Sequence, residues 1–433
     1  MFTLRHLPWI GVAALVVIFT CLILQYALNL PLNDDLQDIL LFVVNVSAAD
    51  SPASFIGPFF DQHADHMTAA SRVVYYLYYL WQGEINFISL ALIAQLGLIS
   101  ILILFYLLLE TTSHKQLVFL AVCLCLINPR AYTLLVWPMA AMGFYFVYFY
   151  ALAALIALNR QSPAYFLLAV ICGLLATYSF SPGILIWPVG LALLLYRRWQ
   201  APDQGLSRLI MWLLLSVITL SIYFGSYHAV SGSLNLKLLY CLEHPLYTFK
   251  FFLTLLGSSF SYGNILLAQL LGGALLLGAI LLSYTGLRSK LTVLHLYLWF
   301  CLLAVAMITV ARAPMGQWAG FEGEPLLLNL AMVSRYAFSS MILLATLVAL
   351  WANRYLPTCR GAFYSMLVLL IGLSIGNYSV YGDALELLQK ERIRRFNRDG
   401  IIPVLADPVP LQVFIDKAEG KGIYTAPARP LKN

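Results

Sequence analysis

The sequence predicts an all-α membrane protein: a polytopic transmembrane helical bundle of about eleven spans, with a long first outer loop carrying interfacial helices and a short C-terminal tail. Two observations predict it. The composition is 62% hydrophobic and 10% charged, with a mean hydropathy of +0.85, more apolar than a soluble domain of this size. The apolar residues also come in runs, the first of which, 8–29, is long enough to cross a hydrocarbon core of roughly 30 Å. It is followed by Asn29-Leu30-Pro31-Leu32-Asn33 rather than a small-residue cleavage site, so it reads as an uncleaved first span.

Further spans are read at 87–109, 116–128, 139–158, 164–180, 183–196, 208–229, 263–284, 291–310, 331–352 and 361–380. Those at 116–128 and 183–196 are short, which implies tilt, a break or extension into the flanks. Residues 1–380 form the membrane domain with its first outer loop at 30–86, and residues 381–433 a tail too short for a substantial core of its own. In the loop, 36–46 and 72–82 read as amphipathic helices at the interface. Tyr75, Tyr76, Tyr78, Tyr79 and Trp81 suit an aromatic belt. Residues 251–260 rise only about 15 Å as a helix, so they read as a re-entrant or surface segment.

Placing the N-terminus in the cytoplasm puts Arg5, Lys115, Arg160, Arg197, Arg198, Arg208, Arg288, Lys290, Arg354 and Arg360 in inner loops, against the acids Glu110 and Asp203. The outer side then holds ten acids, from Asp34 to Glu324, and the basic excess lies inside, as membrane orientation requires. The formal charge of +6 is therefore explained without nucleic acid. On this layout the tail, with Lys390 to Arg398 and Pro403, Pro408, Pro410, Pro427 and Pro430, lies outside against the charge rule. The seven cysteines lie mostly in apolar runs and make neither a disulfide framework nor a metal pattern.

Polar residues concentrate where spans leave the membrane, and charge near membrane depth is retained where a site needs it. Asp34 and Asp35 follow the first span. They suit either the N-cap of the helix starting at Leu36 or a general base acting on an acceptor hydroxyl. Asp61, Gln62, His63, Asp65 and His66, with Arg72 behind them, suit a hydrogen-bonding cradle for a sugar or its acceptor, or a plain solvated loop. The ligand types of His63 and His66 with an aspartate also admit zinc or manganese, but no metal or other cofactor is assigned. A third cluster on the outer side runs from Arg312 through Glu322 and Glu324 to Arg335 and Tyr336. An arginine in the first turn of an apolar helix needs an anion, so Arg312, Arg335 and Tyr336 suit a lipid-linked phosphate, or snorkelling to lipid headgroups. Tyr178-Ser179-Phe180-Ser181-Pro182-Gly183 reads as a polar break whose ordinary role is a turn.

Taken together these residues resemble the GT-C superfamily of integral-membrane glycosyltransferases, in particular bacterial polytopic proteins related to O-antigen glucosyltransferases. The resemblance rests on Asn33-Asp34-Asp35, on Gln62-His63-Ala64-Asp65-His66, on Trp187-Pro188, and on Arg312 with Ser334-Arg335-Tyr336. Relatives carry Gln-His-Asn-Glu-His-Arg where this chain has Asp65 for the Glu and Met67 for the Arg, so that arginine's role is not carried over. The resemblance implies a polyprenyl-phosphate sugar donor and a glycan or lipid acceptor. It also implies a first-loop aspartate as base and an inner-membrane protein working at its periplasmic face. Two competing readings are a polysaccharide polymerase or ligase using lipid-diphosphate-linked glycans, and a transporter or flippase of a lipid-linked sugar. The first usually relies on arginines in large outer loops, whereas the largest loop here is rich in acids and histidine. The second calls for ionisable groups at span centres, where this chain has almost none.

Overall fold

A bilayer offers no hydrogen-bond partners, so a segment inside it must satisfy its backbone within a helix. The computed structural model of this chain is accordingly mainly helical, and its strands among the described residues are those of one two-stranded hairpin. It describes residues 6–110, 114–201, 205–228, 232–318, 320, 323–399, 412–428 and 430–431. Arg5, Asp203, Glu322, Pro403, Pro408 and Pro410 lie outside them.

Among the described residues eight helices are long and apolar enough to cross a membrane. They are Leu7–Tyr26, Phe87–Leu108, Pro138–Leu158, Leu206–Gly225, Ile265–Arg288, Val293–Trp318, Ser334–Tyr355 and Arg360–Arg398. The segments read as spans at 116–128, 164–180 and 183–196 form shorter helices, Lys115–Leu126, Pro163–Thr177 and Ile186–Gln200, of 12, 15 and 15 residues. Breaks at Asn128-Pro129 and Ser181-Pro182 end or delay them, because proline cannot donate to the ladder.

Burial sorts the bundle into layers. Ser334–Tyr355 and Pro138–Leu158 are 83% and 78% buried and form its centre. Leu7–Tyr26, Leu206–Gly225 and Ile265–Arg288, each 22% buried, form the periphery with most of their side chains facing outward. Helices apolar all round suit either position. Small residues allow close approach: a Cβ on Gly97 would stand 2.8 Å from both Tyr145 Cβ and the Phe146 ring. Polar bonds add register. Tyr148 donates to Ser339 Oγ at 2.8 Å, and Tyr297 donates to the Tyr148 carbonyl at 3.0 Å.

Three expectations are corrected. Residues 36–46 form a π-helical turn, Leu36–Leu41, continued by Phe42–Val46, and Leu36, Ile39, Leu40, Val43 and Val44 are all buried. Although Asn45 is exposed and Gln37 half-buried, most of this segment packs inside protein, against the tail helix Gln412–Gly420 and beside Pro52–Phe60. The helix Ala69–Gln82 does carry an exposed apolar face in Val73, Leu77, Leu80 and Trp81. Its Tyr75 and Tyr78, however, are buried and belong to no belt. The last span does not end at residue 380 but runs on as one helix, Arg360–Asp399, of 40 residues or about 60 Å. Its extension brings the tail back onto the first loop: Arg392 donates to the Leu30 carbonyl at 2.7 Å, Ile85 N–H to Ile423 O at 2.7 Å, and Tyr424 to Asn29 O at 2.8 Å. Tail and first loop therefore share one face.

The segment around 251–260 is the 12-residue helix Pro245–Leu256, about 18 Å long. Before it, Lys237 reaches Asp65 of the first loop; after it, the Ser258 carbonyl accepts from Arg130 at 2.7 Å, and Arg130 also bonds the Met332 carbonyl just ahead of Arg335. It leaves and returns at the same face. The helix crosses Ile265–Arg288 so closely that a Cβ on Gly272 would stand 2.0 Å from the Leu253 carbonyl oxygen, whereas Gly273 has nothing within 4 Å. Gly272→Ala is expected to lose about 1–3 kcal/mol of stability by overpacking and Gly273→Ala almost nothing. Thermal unfolding in detergent measures both, and equal midpoints would remove the close crossing from this account.

Candidate functional site

Where the first span ends, the chain turns at Asn33, whose φ of +49° is tolerated by asparagine better than by most residues. The turn sends the two following carboxylates in opposite directions. Asp35 points inward and is fully buried, its Oδ2 accepting from Leu32 N–H at 2.9 Å and its Oδ1 from Met139 N–H at 3.2 Å. Met139 lies in the first turn of Pro138–Leu158, so Asp35 ties the loop to the positive end of a central helix. Burial pushes its pKa up to about 8, more than these donors and Arg392 offset. Asp34 points outward and its side chain stays 37% exposed.

Asp34 faces a two-stranded hairpin, Gln62–His63 paired with His66–Met67 in the register His63↔His66, whose turn places Ala64 at φ +47°. Arg72 fixes the base of this hairpin. Its guanidinium bonds Asp38 through Nε at 3.0 Å and Nη2 at 2.7 Å, and bonds the Pro58 and Asp61 carbonyls through Nη1 at 2.8 and 2.5 Å. Thr68 donates to the same Asp38 oxygen at 2.7 Å. The buried Arg72 thus holds the loop together and does not reach the cavity described below. Asp61 contributes its carbonyl while its side chain is exposed, and Gln62 bonds the Ala64 and His228 backbones.

The two histidines part company. His63 Nε2 stands 3.7 Å from Asp34 Oδ2, ion-pair distance but too long for a hydrogen bond. Burial lowers the His63 pKa, yet the carboxylates of Asp34 and Asp38 outweigh it and the pKa is raised above 6.5. Burial likewise raises the Asp34 pKa, but His63, Arg335 and His66 together bring it below 3.8. His66 stacks on Phe180 at 3.9 Å and its Nδ1 lies 2.6 Å from Ser181 Oγ. Ser181 gives its own proton to the Asp65 carbonyl at 2.6 Å, so Nδ1–H is the donor and Nε2 is left as the acceptor. Burial and then the Arg312 charge push the His66 pKa down to about 3, which keeps the ring neutral.

His66 and Ser181 form one wall of a cavity of about 300 Å³. Asp65, Tyr223, Tyr227, Lys237, Arg312 and Tyr336 supply its other polar groups, and Phe224, Leu234, Met307 and Val310 belong to an otherwise apolar lining. Asp65 is held by Lys237 at 3.4 Å and by Tyr227 at 3.3 Å. Arg335 stands behind Tyr336, 4.7 Å from its ring centroid and 5.3 Å from that of Trp137. Arg312 lies 5.8 Å from the same Tyr336 ring, and its Nη1 is 2.9 Å from Met315 Sδ. Among the described residues no carboxylate comes within 4.0 Å of Arg312 or Arg335. Arg312 at the cavity and Arg335 behind it, with no carboxylate within 4.0 Å among the described residues, stand near an ionised aspartate and a neutral histidine and fit an anionic ligand that carries hydroxyl groups.

Of the residues predicted from sequence, Asp65, His66, Arg312 and Tyr336 meet at the cavity, with Asp34, His63 and Arg335 beside it. Asp35, Asp61, Gln62 and Arg72 serve the loop's own structure. Lys237 was not singled out from the sequence, although a lysine in the apolar stretch Leu234–Glu243 was a signal. Ser181 was signalled too, by the polar break between two short helices. Comparison of this chain with protein-family models, with curated proteins and with solved structures finds no match in any of the three.

The Asp35 carboxyl has a titration of its own to reveal. Its pKa is 3.8 for the free side chain and about 8 when folded, so its contribution to stability is fully present below about pH 4 and is lost as pH rises through about 8. The unfolding temperature of the wild type is expected to fall over that window relative to Asp35→Asn. Parallel curves would show instead that Asp35 is ionised throughout.

Proposed function

We propose that the chain is a membrane glycosyltransferase taking a sugar from a polyprenyl-phosphate donor to an acceptor glycan or lipid. We place its site at the periplasmic face of a bacterial inner membrane, with eleven spans, the N-terminus inside and no cofactor. One observation carries the reading: Asp34 lies beside a largely apolar cavity that holds a neutral histidine, an Asp65–Lys237 pair and Arg312, which has no carboxylate within 4.0 Å among the described residues.

Each group then has a task. Arg312 and Lys237 at the cavity, with Arg335 behind Tyr336, hold the donor phosphate and stabilise its charge as it leaves. The apolar wall takes the first prenyl units. His66 Nε2 accepts from a sugar hydroxyl, which orients the ring. An acceptor hydroxyl oxygen bonds to the anomeric carbon and the carbon–oxygen bond to phosphate breaks. The electron pair leaves on polyprenyl phosphate, and the hydroxyl proton passes to Asp34. His63 keeps Asp34 ionised. A base of low pKa suffices where the hydroxyl proton becomes acidic only as the new bond forms.

The test is transfer from a polyprenyl-phosphate sugar by the purified chain in vesicles. Arg335→Lys keeps the charge and loses the fork, so donor affinity should fall by roughly tenfold, and Arg335→Ala by at least about a hundredfold, with acceptor affinity nearly constant. Movement of the lipid-linked sugar across the bilayer with no new glycosidic bond would favour the flippase. Equal loss of donor and acceptor affinity would make Arg335 structural.

A further inference from the structure

A second cavity, of about 530 Å³, lies at the other end of the bundle. Pro138–Leu158 begins against Asp35, and Val293–Arg312 and Ser334–Tyr355 carry Arg312 and Arg335 to the candidate site; the opposite ends of these three helices surround this cavity. Twenty residues of helix place it about 30 Å from the first site. We propose that it binds the phosphate headgroup of an anionic membrane lipid, separately from any chemistry at the first site.

Arg197, Lys290 and Arg354 converge on it from three different helix ends or their flanks. Glu110 is the one carboxylate on its wall among the described residues, and none of the three cations has a carboxylate within 4.0 Å there. Arg197 is half-buried in the recess rather than extended to the surface. Arg354 is held in place by Ser289 Oγ at 2.8 Å and lies 5.6 Å from the Tyr355 ring centroid. Tyr196, at the same wall, accepts from Leu291 N–H at 3.1 Å, which stiffens the rim. Three cations against one carboxylate on the wall, with Arg354 held by a neutral hydroxyl and beside a ring, suit a phosphate.

The floor selects the source of that phosphate. Leu193, Leu282 and Leu350 are buried beneath the charged rim. A polar mouth over an apolar floor, at helix ends where the headgroup layer lies, matches a lipid's phosphate and glycerol neck better than a freely soluble anion.

The full-length protein is reconstituted in phosphatidylcholine membranes containing phosphatidylglycerol, extracted in mild detergent, and its retained lipid counted by native mass spectrometry. At about fivefold per cation, Arg197→Gln, Lys290→Gln and Arg354→Gln together should lower phosphatidylglycerol retention roughly a hundredfold. Each single variant, should the triple fail to fold, is expected to lower it about fivefold. The triple Arg198→Gln, Arg288→Gln and Arg360→Gln removes equal charge from the same face outside the cavity and should retain lipid like the wild type. The proposal is overturned if the cavity variants keep their lipid, or if the control triple loses as much. Displacement of the lipid by millimolar inorganic phosphate would also overturn it, by assigning the cavity to a free anion.

Discussion

The site depends on two carboxylates buried in one turn. Asp35 holds the first turn of Pro138–Leu158, and Asp38 holds Arg72 and Thr68, so the first outer loop is fastened to the bundle on one side and to its own hairpin on the other. Asp34 sits beside these anchors and has little choice of position. The Asp38–Arg72 pair is a buried ion pair, and removing one member of such a pair typically costs about 3–5 kcal/mol. That cost favours the arrangement in which Arg72 bridges Asp38 and the Pro58 and Asp61 carbonyls.

The second constraint is the medium. Spans that expose apolar faces can be long and featureless, and the peripheral helices are. The central ones need small residues and internal hydroxyl bonds to pack, because lipid supplies no hydrophobic drive between helices. Polar groups are left for the two ends of the bundle. At one end acids and histidines stand among the cations, and Asp65 pairs with Lys237; at the other Arg197, Lys290 and Arg354 have no carboxylate within 4.0 Å among the described residues. The asymmetry that reads in sequence as orientation is, in three dimensions, two cavities of different character.

Much of the all-helical membrane architecture was legible, because runs of apolar residues and their proline breaks are local signals. Asp34, His66 and Arg312 were legible as well, since charge beside a span is conspicuous. What failed was any inference requiring a long-range partner. Residues 36–46 were read as interfacial because nothing nearby in sequence announces the tail helix that covers them. Arg72 looked like a binding cation because its partner Asp38 lies thirty-four positions back, and Lys237 reaches Asp65 across a separation of 172. Asp35 was indistinguishable from Asp34 until the φ of Asn33 set their directions.

The central claim is that Asp34, held ionised by His63 at the edge of a phosphate-binding cavity, takes the acceptor's proton. The most direct measurement is single-turnover transfer by Asp34→Asn, run on protein first shown to bind the polyprenyl-phosphate sugar. A positioned base contributes typically 10²–10⁴-fold. The account predicts a loss of transfer in that range with donor binding unchanged, and transfer within about threefold of the wild type would contradict it.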